Sequence, residues 1–183
     1  MKRNKISKYF VTIAICVFIV YPIGCTRHIK PVKIDVEPES ITDFSGDDPI
    51  NVLIPENAEK EYLVEYVNPV ALSAKIYVDL NDLYKIAKEL IEKELTRHQV
   101  PLSPDANKYL KFTITKIQWD LWAKGIWSGI YLEFEIETSD GYNQSYKVMA
   151  HSVWGTNRQI GGAVSKAVEK IFQDLSILSY IEN

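Results

Sequence analysis

Cys25 is the residue whose type and position most directly predict a covalent reaction. It follows Gly24, at the end of the uncharged apolar run YFVTIAICVFIVYPI that begins at Tyr9. A cysteine thiolate is a nucleophile, and a thioether to a lipid is one of its stable products. The second cysteine of the chain, Cys16, lies inside the apolar run, so the chain after the run has no partner for a disulfide. We therefore expect Cys25 to be lipidated.

The segment before Cys25 has the two parts of an export signal, a basic region and then a short apolar run. The basic residues are Lys2, Arg3, Lys5 and Lys8. A helix that spans a bilayer needs about 20 apolar residues, and this run is shorter and closes on Pro22. The pattern predicts a signal peptide over residues 1–24, and a short membrane anchor is the alternative.

Ile23-Gly24-Cys25 resembles the lipobox of bacterial lipoproteins, in which a small residue precedes the acylated cysteine. Pro22 stands where such lipoboxes usually have leucine. The resemblance implies cleavage before Cys25, a diacylglycerol thioether on its sulfur and an acyl group on the new amino terminus. Thr26 comes next, whereas an aspartate there tends to retain Gram-negative lipoproteins at the inner membrane. We therefore expect an outer-membrane lipoprotein that faces the periplasm.

Tryptophan is concentrated in one region and gives the second candidate site. Trp119, Trp122 and Trp127 lie in the stretch WDLWAKGIW, at a predicted connection between strands, and Trp154 follows a later strand. Indole rings suit half-wet surfaces and the central positions of binding interfaces. Two interpretations stay open: the rings pack over the sheet edge and the helix ends, or they bind a partner. As a partner, we expect a protein rather than an acyl chain.

Residues typical of catalysis are scattered. His28, His98 and His151 fall in three different predicted segments, and no zinc, hydrolase, nucleotide or dinucleotide motif occurs. We therefore expect no enzymatic activity, no metal and no cofactor.

A row of glutamates raises the alternative of a cation site. Glu133, Glu135 and Glu137 share one face of a predicted strand and are of the type that binds hard cations. Lys111 and Lys147 are expected on neighbouring strands, where they would pair with these carboxylates. A solvated, ion-paired face is therefore the favoured interpretation.

The charge balance excludes nucleic acid as the default partner. Residues 1–24 contain four basic residues and no acidic one, so the rest of the chain has 17 basic and 24 acidic residues and a net charge of −7. Such a domain lacks the basic surface that binds phosphates.

Hydrophobic periodicity predicts the elements that position these residues. Strands are expected over 49–54, 62–67, 70–78, 108–117, 129–138 and 146–151, and helices over 79–98 and 157–175. Residues 25–48 are expected to be a flexible spacer that contains the lipidated cysteine, with a short strand near 32–36 as an option. The thin Gly161-Gly162 pair should let the second helix approach a neighbour closely.

We therefore expect one α+β domain over residues 49–183. Its two layers are a mostly antiparallel sheet and two amphipathic helices packed on one face of that sheet. Leu90, Phe112, Phe134 and Val168 are predicted in the core between them.

This order of elements resembles the YajG-type family of uncharacterised bacterial lipoproteins. The similarity lies in the helix segment 74–100, in the meander that ends with HSVWG, and in the helix segment 157–175. Auxiliary lipoproteins of ABC-type lipid-transport systems have a similar order, and both alternatives stay open. The resemblance implies a periplasmic accessory protein and no catalytic residues.

Two functions are therefore expected in order. The first is a lipid-anchored accessory or scaffold protein that docks on another component of the cell envelope, so that its partners are the membrane and an envelope protein. The alternative is a module that binds a lipid or another hydrophobic ligand within an envelope transport system.

Overall fold

Eight strands and three helices are present in the ranges that the computed structural model describes, 26–37, 41–56, 58–66, 75–120, 129–151 and 155–183. In chain order they are β1 (Thr26–Ile29), β2 (Ile50–Leu53), β3 (Tyr62–Leu63), β4 (Glu65–Tyr66), β5 (Lys75–Val78), α1 (Leu80–Arg97), β6 (Lys108–Asp120), β7 (Gly129–Thr138), β8 (Asn143–His151), α2 (Thr156–Ile171) and α3 (Leu175–Glu182).

The larger sheet is built around β6. Its order is β2-β6-β7-β8, and β4 also pairs with β6. The β6–β7 and β7–β8 pairings are antiparallel, as predicted for the meander, whereas β2 and β4 pair in parallel with opposite ends of β6. A tight turn at Asp140-Gly141 joins β7 to β8, and Gly141 adopts a φ of 92°, which favours glycine.

A smaller sheet has the order β1-β5-β3. The β1–β5 pairing is parallel and the β3–β5 pairing is antiparallel. The strand predicted over 62–67 is divided into β3 and β4 by the buried Val64, whose N–H donates to the carbonyl of Ile76 at 2.9 Å. The chain thus passes from one sheet to the other at Val64.

The core lies between the larger sheet and the helices α1 and α2. The four predicted core residues, Leu90, Phe112, Phe134 and Val168, are all 0% exposed. The rings of Phe112 and Phe134 lie 5.2 Å apart on adjacent strands. The predicted α+β class, with a mostly antiparallel sheet covered by helices, is therefore confirmed.

Helix α1 begins and ends as predicted. Asp79 is its N-cap, with a side-chain oxygen that accepts a hydrogen bond from the N–H of Asn81 at 2.8 Å. The helix ends at His98, before the prolines that cannot continue it. Its buried residues recur at helical spacing, which is why the sequence pattern located this helix well.

The predicted second helix is two helices. The helix that was expected to reach Leu175 ends with α2 at Ile171, and α3 begins after Asp174. The Asp174 carboxylate accepts hydrogen bonds from the N–H groups of Ser176 and Ile177, so it caps a new helix instead of continuing the old one. Leu175, predicted in the apolar stripe, is 76% exposed as a result.

The described parts of the expected flexible spacer, residues 26–37 and 41–48, pack on the folded domain. Thr26–Ile29 form β1, and no strand is present at 32–36, where a short one was an option. Apolar residues of this stretch are buried against the body: Ile29, Val36, Ile41 and Phe44. Their irregular spacing gives no periodic signal, although each one reaches the common core.

Contacts with α1 and α2 hold this N-terminal segment in place. Lys33 and Asp35 form ion pairs with Glu89 and Lys93 of α1, at 2.8 and 2.9 Å. The N–H of Val32 donates to the carbonyl of Asn157 in α2 at 3.2 Å. Both charged residues, Lys33 and Asp35, are thus paired with a helix of the folded domain.

A β-bulge divides β6. Its register with β7 shifts between Ile114 and Lys116, so that one extra residue enters the strand. Leu110, Phe112 and Ile114 face the core before the bulge, and Ile117 and Trp119 face it afterwards. The shifted alternation explains why the strand was predicted to end at Ile117, three residues too early.

Truncation of Phe134 tests the assigned strand faces. Phe134→Ala should lower the free energy of unfolding by about 3–5 kcal/mol, because a fully buried ring is lost. Glu135→Ala on the opposite face should leave it close to the wild-type value, as measured by urea denaturation. Equal losses at the two positions would mean that the faces of β7 are wrongly assigned.

Gly161 and Gly162 form a matched pair for testing the contact between the N-terminal segment and α2. A Cβ at Gly161 would lie 1.7 Å from the carbonyl oxygen of Val32, whereas one at Gly162 would meet the Ala150 Cβ at an ordinary 3.5 Å. Gly161→Ala should therefore lower the free energy of unfolding by about 1–3 kcal/mol. Gly162→Ala should leave it unchanged or raise it by up to about 1 kcal/mol, because alanine favours a helix.

Thermal or urea unfolding of both variants checks this contact. If Gly161→Ala is as stable as Gly162→Ala, the N-terminal segment does not pack on α2 as described.

Candidate functional site

One of the predicted site residues, Trp119, lies among the described residues. Cys25, Trp122, Trp127 and Trp154 lie outside the described ranges. The prediction that these four residues are lipidated or bind a partner therefore stays a prediction.

Trp119 lies near the end of β6, where three strands meet. Its neighbours in register are Ile130 of β7 and Tyr66 of β4. The rings of Trp119 and Tyr66 are stacked, 5.7 Å apart with 28° between their planes. Trp119 is partly buried against the core, as the packing interpretation required. Burial also raises the pKa of Tyr66, as expected for a phenol beside an apolar ring.

The Trp119 indole N–H is buried without a hydrogen-bond partner. A buried donor that has lost its water and gained no acceptor costs about 1–3 kcal/mol. The stacked pair Tyr66 and Trp119, which we call the aromatic pair, therefore combines an apolar surface with an unused donor. Because that donor is enclosed, the pair can contact a partner only through the parts of its rings that remain exposed.

The histidines do not form a catalytic or metal-binding group in the described structure. His28 lies on β1, and His98 stacks on Phe44 with 4.1 Å between ring centroids. His151 ends β8, and both of its ring nitrogens are buried without a hydrogen-bond partner. Within the described ranges, no group of three or more His, Cys, Asp or Glu side chains is arranged to hold a metal ion.

Two of the three glutamates of β7 form the predicted ion pairs, and Glu135 accepts a hydrogen bond from the Ser145 hydroxyl. Lys147 lies 2.7 Å from Glu133, and Lys111 lies 2.8 Å from Glu137. Hydrogen bonds from Lys111 and from the Tyr109 hydroxyl hold the pKa of Glu137 below its usual value. These cross-strand pairs neutralise the carboxylates, so the arrangement suits a solvated sheet face and not a cation site.

A second polar group, at Asp174, was not predicted. The hydroxyls of Tyr142 and Tyr146 donate to the same Asp174 oxygen, at 3.2 and 2.6 Å. Burial acts to raise the pKa of Asp174, but hydrogen bonds from Tyr146, Ser176 and Ile177 outweigh it and lower the pKa. Burial and the bond to Asp174 raise the pKa of Tyr146. Because each of these groups is used to hold α3 on β8, the cluster serves packing.

A polar cleft of about 400 Å³ lies beside α3, and it was not predicted either. Its residues are Asp48, Lys108, Asp140, Ser176, Ser179, Tyr180 and Asn183. The Lys108 ammonium donates to the carbonyl of Ile181 at 3.0 Å and lies over the Tyr180 ring at 5.2 Å. The Tyr180 hydroxyl accepts from the N–H of Tyr109 and donates to its carbonyl. The central polar groups are thus used internally, and the polar lining does not suit an acyl chain.

No periodic signal points to either polar group, because each depends on the break between α2 and α3. The one local signal is Asp174 followed by Ser176 and Ile177, which is an N-cap pattern inside an otherwise continuous apolar stripe. For Trp119 the signal is the shift of the apolar positions from Ile114 to Ile117, which marks the bulge.

The fold is similar to that of XCC0632 from Xanthomonas campestris, a protein of the DUF330 family known from a crystal structure. The TM-score is 0.51 at 10% sequence identity, over 84% of this chain and 95% of that chain. At this identity the likeness concerns the fold alone. No protein-family model matches the sequence, and no curated protein matches it at a significant level.

Two other crystal structures align less well. One is an uncharacterised protein, with a TM-score of 0.38, 7% identity and coverage of 82% of this chain and 95% of that chain. The other is the dodecameric PelC from Paraburkholderia phytofirmans, with a TM-score of 0.33, 12% identity and coverage of 72% and 93%. These TM-scores are too low to support a statement about this chain.

In the described ranges no helix has both the length and the apolar character of a membrane span.

Substitution of Trp119 tests whether its N–H is unpaired. Trp119→Phe keeps a stacking ring and removes the buried donor, so the free energy of unfolding should change by less than about 1 kcal/mol. Trp119→Ala removes the ring as well and should cost about 2 kcal/mol or more. Urea denaturation measures both values. Equal destabilisation by the two substitutions would show that the N–H is bonded in the folded protein.

Proposed function

We propose that this protein is a lipid-anchored accessory protein of the bacterial cell envelope. In this proposal Cys25 is acylated, the domain faces the periplasm from the outer membrane, and the protein docks on another envelope component without catalysing a reaction. We further propose that the protein belongs to one of two families, the YajG-type lipoproteins or the auxiliary lipoproteins of ABC-type lipid-transport systems.

The observation that supports the tether most directly is the position of β1. This strand begins at Thr26, the residue after the predicted acylated cysteine, and pairs with β5. Consecutive Cα atoms are about 3.8 Å apart, so a lipid on Cys25 would be attached next to a folded sheet. A bacterial protein of the DUF330 family has a similar fold, which agrees with this assignment and does not test it.

The aromatic pair supports docking on a protein. Tyr66 and Trp119 are stacked and only partly buried, and aromatic side chains dominate the binding energy of many interfaces. The largest core side chains, including Phe112, Phe134 and Phe172, are fully buried. The cleft beside α3 has a polar lining, which does not suit an acyl chain.

Lipidation is tested by replacing the cysteine. Cys25→Ser removes the only sulfur that acylation at this position can use, so the variant should remain unprocessed or be released from the membrane fraction. The wild-type protein, isolated from membranes, should show by intact mass a chain that starts at Cys25 and carries diacylglycerol and acyl groups. Cleavage at another residue together with a free Cys25 thiol would contradict the proposal.

Docking is tested by crosslinking in intact envelopes. Trp119→Phe should keep the melting temperature within a few degrees of the wild type and yet reduce recovery of the crosslinked partner severalfold, because the smaller ring presents less aromatic surface to the partner. Lys170→Gln, an exposed position at the end of α2, serves as the control that should not change recovery. Lipid co-purifying in a one-to-one ratio, with no crosslinked protein, would instead favour a lipid-binding module.

A further inference from the structure

The small sheet has one face that the rest of the described structure leaves open. Thr26 pairs with Lys75, and His28 pairs with Tyr77, which in turn pairs with Leu63. Residues directly opposite one another on adjacent strands share a face. We call this surface, formed by these five residues, the outer face of the small sheet. The alternate residues Ile76 and Val78 are buried on the other side.

The composition of the outer face suits the boundary between water and lipid. Leu63 is 46% exposed, one of the few large apolar side chains among the described residues with such exposure. Tyr77 is half-buried, and its ring stacks on His28 with 5.5 Å between centroids. Rings that have an apolar body and a polar tip, together with an exposed leucine, are typical of surfaces that rest on lipid headgroups.

Two unpaired cations lie at this face. Lys75, which belongs to it, and Lys30, which follows β1, are exposed, and neither forms an ion pair with a carboxylate of the described residues. By contrast, the next cation along the chain, Lys33, is paired with Glu89. The first acidic residue after Thr26 is Asp35, which is paired with Lys93. The N-terminal edge of the small sheet therefore has free positive charge on a domain whose net charge is negative.

Chain connectivity places this face beside the predicted lipid. Residue 25 is bonded to Thr26, and Thr26 is itself part of the outer face. Adjacent strands lie about 4.8 Å apart, so Leu63 of β3 lies about 10 Å from β1. A face of this size beside an acylated residue is within reach of the headgroup layer without any linker.

We infer that the outer face of the small sheet lies against an anionic phospholipid surface when Cys25 is acylated. The inference rests on the proposed lipidation. The lipid on Cys25 supplies the attachment, while Lys30 and Lys75 attract anionic headgroups and Leu63 and Tyr77 enter the interface. The acylated domain then has a fixed orientation, with the small sheet toward the bilayer and α3 away from it.

The fold supplies a control position at its opposite end. β4 joins the small sheet to the end of β6 at Trp119, whereas α3 contacts the start of β6 through Tyr180. β6 has 13 residues and a strand rises about 3.3 Å per residue, so these ends are about 40 Å apart. Leu175 of α3 is 76% exposed and serves as the control for Leu63.

The test places a fluorophore at each end of the acylated full-length protein in vesicles. Leu63→Cys and Leu175→Cys each introduce the one thiol that remains free when Cys25 is acylated, and both positions are exposed. The vesicles contain phosphatidylethanolamine with phosphatidylglycerol and a lipid that has a spin label on its headgroup. We expect at least about threefold stronger quenching at position 63 than at position 175, because only the former lies in the headgroup layer.

Charge reversal tests the cause of the orientation. Lys30→Glu combined with Lys75→Glu should remove most of the excess quenching at position 63, and high salt should have the same effect on the unmodified surface. Lys170→Glu, an exposed cation on α2, should leave the excess unchanged. Melting temperatures close to the wild type confirm that each variant is folded.

The outcomes separate this inference from the proposed function. Intact mass of the same preparations reports acylation, and a free Cys25 thiol would overturn both proposals. If Cys25 is acylated and positions 63 and 175 are quenched equally, the lipidation stands and the orientation is wrong. If position 63 is quenched more strongly but the Lys30 and Lys75 reversals have no effect, anionic lipid does not cause the orientation, and the inference is likewise overturned.

Discussion

The pairing of β6 with β7 is the constraint on which the rest of the structure depends. These are the longest strands of the described chain, and their shared apolar face includes Phe112 and Phe134. β6 uses its second edge for both β2 and β4, at opposite ends. A change in the β6–β7 register would turn the apolar set toward solvent and misplace both short strands, since side chains alternate with a period of two.

The bulge in β6 links this pairing to the candidate site. Without the extra residue, the alternation set by Phe112 and Ile114 would direct Lys116 and Gln118 into the core. The register shift directs Ile117 and Trp119 inward instead, and it brings Trp119 beside Tyr66. The aromatic pair therefore follows from the bulge. The same end of β6 connects through β4 and Val64 to the small sheet, which contains the residues that follow Cys25.

Periodic patterns predicted the elements that bury one face against a common core. The alternation in β7 and the helical spacing in α1 each repeat over enough residues to define a face, so their bounds agree closely with the prediction. The N-terminal segment could not be predicted in this way. Ile29, Val36 and Phe44 are buried at irregular intervals, and their contacts are with residues far along the chain, such as Phe172. A composition rich in proline and charge therefore indicated a spacer where the chain is packed.

The end of α2 could not be predicted for a different reason. The apolar stripe continues through Phe172, whereas the capping bonds of Asp174 begin a new helix. The break is therefore marked by a capping side chain, which hydrophobic periodicity does not register. In the candidate site, Trp119 was identified from its residue type alone. Its stacking on Tyr66 and its unbonded N–H could not be predicted, because they depend on the pairing of β4 with β6, which brings distant residues together.

The central claim is that the chain enters the fold immediately after Cys25, so that a lipid on this residue would hold the domain against the membrane without a flexible spacer. Hydrogen–deuterium exchange of the full-length protein measures this directly at the amides of β1. Because β1 is an edge strand, only alternate amides donate to β5, and these should exchange at least about 100-fold more slowly than in an unfolded chain. Exchange of these amides at the rate of an unfolded peptide, while β5 and β6 stay protected, would contradict it.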